Sequence, residues 1–116
     1  MMLFKKLPLE ITADYMSSDN YRERFVAEYV QTKIRYERLK AYNNQIEAAN
    51  AVNKPEPPHT CPFYMLREQQ EAMGKYLHIL EIRAEIECIL LDEYIALMVE
   101  ESFSDSCDET ESVRGE

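Results

Sequence analysis

Three prolines within four positions, Pro55, Pro57 and Pro58, divide the chain into two long stretches that each repeat in the helical manner. Proline gives no N–H to a helix ladder and drives the preceding residue out of helical geometry, so no helix crosses this point. Upstream, Phe25, Tyr29, Thr32, Tyr36, Leu39, Asn43 and Ile46 follow one another at intervals of four and three. This is a heptad-like seam with polar interruptions at Thr32 and Asn43, widened on one side by Val26, Val30 and Tyr42. Downstream, Leu66, Gln70, Met73, Leu77, Leu80, Ala84 and Cys88 continue the same rhythm. Two helices of matched length and period, joined by a short stiff loop, run antiparallel. The expected fold is all-α: a long antiparallel helical hairpin with a short third helix or helix extension, followed by an acidic tail.

The boundaries follow from local chemistry. Asp19 or Asn20 suits an N-cap, with Glu23 in the first turn where the helix dipole favours an acid. The first helix is expected to end near Val52. Thr60 is the expected N-cap of the second, with Pro62 in its first turn where a missing N–H costs nothing. From Pro62 to Leu91 that helix would span about 45 Å. Residues 92–101 either extend it or form a third helix capped at Asp92, and Ile95, Leu97, Met98 and Val99 are apolar enough to require burial. The plan is an irregular lead-in over 1–18, a hairpin domain over 19–101 and an acidic, disordered tail over 102–116. In the lead-in, Leu7, Leu9, Ile11 and Met16 are available to dock on a neighbouring surface.

Two glycines in 116 residues exclude a sandwich or barrel, which needs turn glycines at frequent intervals, and also a phosphate-cradling glycine loop. The net charge of −9 is uneven. Residues 1–91 hold 13 acids against 12 bases, while residues 92–116 hold nine acids against Arg114 alone. The body lacks the net basic face of a duplex nucleic-acid binder, and the acidity belongs to the C-terminal segment. Cys61, Cys88 and Cys107 form neither an even disulfide set nor a Cys-x-x-Cys metal knuckle. No apolar run follows Lys5 and Lys6, and Cys88–Val99 is too short and too charged to span a bilayer. A soluble protein of the reducing cytosol, without membrane contact, is expected.

No catalytic set emerges. His59 and Cys61 flank Thr60 in the loop, but no third group is in place to orient them. His78 would need a glutamate at position 75 to complete a carboxylate-bridged metal motif, and Lys75 stands there. Neither catalysis, metal nor cofactor is expected. Tyr21, Tyr29, Tyr36 and Tyr42 share the first helix with Arg22, Arg24, Lys33, Arg35, Arg38 and Lys40, and the second adds Lys75 beside Tyr76. Tyrosines stack on bases and cations hold phosphates, so this mixture suits a small nucleotide at a subunit junction; the plainer reading is seam packing and surface charge. Ile34, Ile79, Ile82, Ile86 and Ile89 lie off the seams and require a third surface. The lead-in, the third helix or another copy of the chain could supply it, and a homo-oligomer is expected, with Ile79, Ile82, Ile86 and Ile89 as its surface.

The segments Tyr21-Arg22-Glu23-Arg24-Phe25, Glu28-Tyr29, Lys33-Ile34-Arg35-Tyr36 and Leu39, then Cys61-Pro62, Leu66, Gln69-Gln70, Met73, Tyr76-Leu77, Leu80 and Arg83-Ala84-Glu85-Ile86-Glu87, carry a resemblance. Over about residues 19–89 the chain is similar to small uncharacterised helical-hairpin proteins of gut bacteriophages, including crAss-like phages. It also resembles the hairpin of phage proteins that sequester cyclic-nucleotide alarm signals. Those phage proteins often carry glycine after the final Ile-Glu; here Cys88 stands there, so the helix is expected to continue through it. The resemblance implies a phage or prophage origin and a non-enzymatic counter-defence role in the cytoplasm of the bacterial host. The expected ligand is a cyclic oligonucleotide held at an oligomer junction, with Arg35, Arg38, Lys75, Tyr76 and Arg83 as its contacts. Alternatives are an anti-CRISPR-like inhibitor whose acidic tail competes for a nucleic-acid channel in a host defence protein, or a structural phage accessory protein.

Overall fold

A computed structural model describes residues 8–100, which are helical apart from short connections and contain no strand. The acidic tail, Leu7 and Cys107 lie outside the described residues. A 3-10 turn, Leu9–Thr12, leads into a four-residue helix, α1 (Ala13–Met16). The two long helices, α2 (Tyr21–Ala51) and α3 (Phe63–Glu87), pack against each other as the expected hairpin. Residues 91–100 form a third helical segment, α4.

Asn20 is the cap of α2: its side-chain oxygen accepts from the Arg22 N–H at 2.8 Å. Ser18 reinforces it, donating to Glu23 at 2.6 Å and accepting from the Asn20 N–H at 2.9 Å. Asn53, in the left-handed region at φ 58°, ends the helix by letting the Lys54 N–H reach back to the Ala49 carbonyl at 2.8 Å. Across the loop, the Tyr42 hydroxyl donates to the Pro58 carbonyl. The His59 ring meets the Cys61 carbonyl at 2.6 Å and the Glu56 carboxylate at 2.8 Å.

Three boundary expectations are corrected. Pro62, not Thr60, occupies the N-cap of α3, and no side chain caps it, because Pro62 already supplies extended geometry where the first N–H groups are free. The lead-in is helical between Leu9 and Met16, where the hydroxyl of the buried Thr12 also donates to the Leu9 carbonyl at 2.8 Å. Nor does α3 continue through Cys88. That residue adopts the left-handed conformation at φ 59°, the Ile89 N–H turns back to the Ala84 carbonyl at 2.9 Å, and α4 starts afresh. Cysteine here takes the backbone geometry that glycine adopts most readily.

The core sits at the end of the hairpin away from the prolines. Phe25 and Tyr29 of α2 face Leu77, Leu80 and Ala84 of α3. Val26, Val30 and Ile34 are wholly buried on a second face of α2. Leu9, Ile11 and Tyr15 from the lead-in, and Leu91, Tyr94, Ile95 and Val99 after α3, pack against this cluster. Tyr15 and Tyr94 meet edge to face at 6.3 Å. Each fully buried aliphatic side chain contributes about 1.5–3 kcal/mol. The surface that Ile34 required therefore comes from residues 9–15 and 91–99 of the same chain. Ile89, expected on the oligomer face, is likewise enclosed in this core at 4% exposure, because the turn at Cys88 folds it inward.

Candidate functional site

Of the residues expected to hold a ligand, Tyr76 and Arg83 are already engaged within the hairpin. The Tyr76 hydroxyl donates to Glu28 of α2. Arg83 donates to the Tyr21 hydroxyl at 2.6 Å and to Glu87 at 3.3 Å, and its guanidinium covers the Phe25 ring at 5.0 Å. Arg35 and Arg38 are exposed, and Arg38 follows Tyr36 by roughly 200° around the helix. Lys75 lines a cleft.

That cleft, about 710 Å³, lies between α2 and α3 and is lined by Tyr36, Gln70, Glu71, Gly74, Lys75, His78 and Ile79. Its size falls in the range of small-molecule sites. Tyr36 is set there by the seam. The hydroxyl end of its ring lies close to Gly74, where a Cβ would stand 3.4 Å from Cε1, in van der Waals contact. Lys33 and Lys40, three residues before and four after Tyr36, bring their ammonium groups to 5.7 and 5.9 Å from the ring centre. Lys33 also pairs with the buried Glu37 at 3.4 Å. The cleft thus sets the Tyr36 ring beside Lys75 and His78, with Glu71 as its one acid, while Lys33 and Lys40 approach the same ring from along α2.

Tyr36 and Lys40 stood among the aromatic and basic residues of the first helix, but nothing singled them out. Gly74 was missed altogether; a glycine inside a helix costs about 1 kcal/mol against alanine and was the signal that could have drawn attention to this turn of α3.

A second cleft, about 600 Å³, opens where α4 meets the hairpin. Glu81, Glu85, Asp92 and Glu93 ring it against Lys33, which makes it hostile to phosphate. Tyr29 reaches it and donates to Glu81 at 2.6 Å. Burial first, and then that hydrogen bond, hold the Tyr29 hydroxyl well above its usual range, so it stays a proton donor. The Tyr21 hydroxyl is also raised, chiefly by its bond to Glu87. Both phenols are fastenings between the helices.

Among the described residues no group of three or more His, Cys, Asp or Glu side chains is placed to hold a metal ion, and no helix is long and apolar enough to cross a membrane. No curated protein and no solved structure matches the chain. The Sequestin family model matches residues 19–86, which spans α2, the proline loop and all but the last residue of α3. With more than half its length so matched, and the matched part coinciding with the hairpin that bears the cleft, the chain belongs to the Sequestin family, whose name denotes sequestering.

Proposed function

We propose that this protein is a phage-encoded, non-enzymatic sponge that sequesters an immune signalling nucleotide in the cytoplasm of the bacterial host. The observation that carries this reading is the Tyr36 cleft, which lies within the segment that defines the family. In it, the base stacks near Tyr36. Phosphate meets Lys75 in the cleft, with Lys40 close by beside the Tyr36 ring. A sponge needs tight retention and no chemistry, and a groove between two rigid helices provides it at small cost in ordering.

Calorimetry against a panel of cyclic di- and trinucleotides tests the reading. At least one should bind with sub-micromolar affinity, come off chemically unchanged, and bind tenfold or more weakly to the Lys75→Ala/His78→Ala variant. Silence across the panel refutes it. Both substitutions are at exposed positions, so the variant's thermal melt should match the parent's.

A further inference from the structure

Asn43 is 1% exposed on the α2 seam, yet its side-chain oxygen has no hydrogen-bond partner. A buried acceptor left unpaired costs stability, and a group kept at that cost calls for a reason. Its nitrogen supplies one by donating twice, to the Leu66 carbonyl at 3.2 Å and to the Gln70 side-chain oxygen at 2.9 Å. A backbone carbonyl only accepts, so it fixes the way the Asn43 amide faces; turned over, oxygen would meet oxygen. Gln70 must in turn give Asn43 its oxygen, and its NH2 is the half left over. Among the described residues nothing accepts from that NH2.

Gln70 lines the Tyr36 cleft. Glu71 lines it too, and makes no ion pair or hydrogen bond among the described residues. These neighbours are thus a donor whose oxygen is already taken and a carboxylate that can only accept. One turn further along α3, Gly74 and Lys75 line the same cleft. Glu71 repels phosphate, which leaves Lys75 for the phosphate and the Gln70–Glu71 rim for the edge of a base.

We infer that this rim reads guanine, with Gln70 and Glu71 determining specificity and Asn43 positioning Gln70. The assignment names the ligand for the sponge reading and rests on it. The pairing edge of guanine carries one carbonyl oxygen, O6, followed by two donors, N1–H and N2–H. Gln70 donates to O6, while the two oxygens of Glu71 accept from N1–H and N2–H. Adenine has one amino group and a bare ring nitrogen on that edge, so the second Glu71 oxygen meets no donor. Uracil is worse, because it sets a second carbonyl against the carboxylate.

Calorimetry of the full chain with cyclic di-guanylate and cyclic di-adenylate tests the assignment. The guanine ligand should bind about 10- to 100-fold more tightly, the usual discrimination of a two-point base contact. Gln70→Glu keeps an oxygen for Asn43 but turns the free donor into an acceptor. It should weaken the guanine ligand about tenfold or more and leave the thermal melt unchanged. Asn43→Leu suits the seam and frees the Gln70 amide to turn over, so the preference for guanine should fall severalfold while binding persists. A merely structural Asn43 would leave that ratio unmoved. In the ligand-free parent, NMR should show the Asn43 NH2 protons exchanging slowly with water and those of Gln70 quickly. The reverse order overturns the positioning whatever the variants do. A guanine-free cyclic nucleotide bound as tightly, or indifference to Gln70→Glu, overturns the guanine assignment and leaves the sponge reading standing. Silence toward every cyclic nucleotide overturns both.

Discussion

The two ends of the hairpin are built on different principles. At the end away from the prolines, α2 is covered on two faces. Phe25 and Tyr29 meet α3, while the Val26–Ile34 face is closed by the lead-in and by the residues after α3. At the proline end only one seam remains, and Asn43 and Ile46 are its buried members on α2. Asn43 donates to the Leu66 carbonyl at 3.2 Å and to Gln70 at 2.9 Å, and its own buried oxygen finds no partner. A polar residue at such a position sets register at a cost in stability. The difference teaches a division of labour: one end holds the fold, and the cleft sits at mid-hairpin, where the thick end gives way to the thin one.

Substitutions can break that comparison. Ile34→Ala, at a wholly buried site in the thick end, should lower stability by about 3–4 kcal/mol in urea unfolding, whereas Leu66→Ala, half-buried in the thin end, should cost about 1 kcal/mol. Equal losses would mean that the ends are equivalent. A smaller effect, of opposite sign, is expected at the turn that closes the thick end. Cys88→Gly should raise stability by about 0.5–1 kcal/mol, because glycine takes the left-handed geometry without the steric penalty cysteine bears, offset in part by its freedom in the unfolded chain.

The smallest effect belongs to the proline loop. Both ring nitrogens of His59 face acceptors, Glu56 and the Cys61 carbonyl, and a ring that donates twice is the imidazolium. The Glu56 bond first, and the Cys61 carbonyl second, raise His59 above its ordinary 6.5, while His59 holds Glu56 below its ordinary 4.5. A raised histidine stabilises fully below pH 6.5 and loses that contribution as pH climbs through its folded value. A lowered carboxyl stabilises above pH 4.5 and loses it as pH falls. The loop should therefore be best fastened between those limits. An NMR titration of His59 should show a midpoint above 6.5 that drops in Glu56→Gln; an unmoved midpoint would show that the clasp does not form in solution.

Much of the fold could be read from the residues because helices announce themselves locally. The spacing of the seams, the cap at Asn20 and the proline break all act within a turn or two of chain. The candidate site was less legible. Arg83 and Tyr76 look like ligand contacts until α2 brings Tyr21 and Glu28 to meet them. Gly74 acquires meaning only when Tyr36, 38 residues away, comes close to it.

The sequence by itself determined two long helices, their antiparallel pairing and their crease, since propensity, period and proline chemistry are properties of neighbouring residues. Tertiary structure alone decided that residues 9–15 and 91–99 close over the core that holds Ile34 and Ile89, that Cys88 stops α3, and that a cleft forms around Tyr36. Those outcomes depend on which surfaces meet across the fold, and contact between residues far apart in the chain leaves no periodic trace along it.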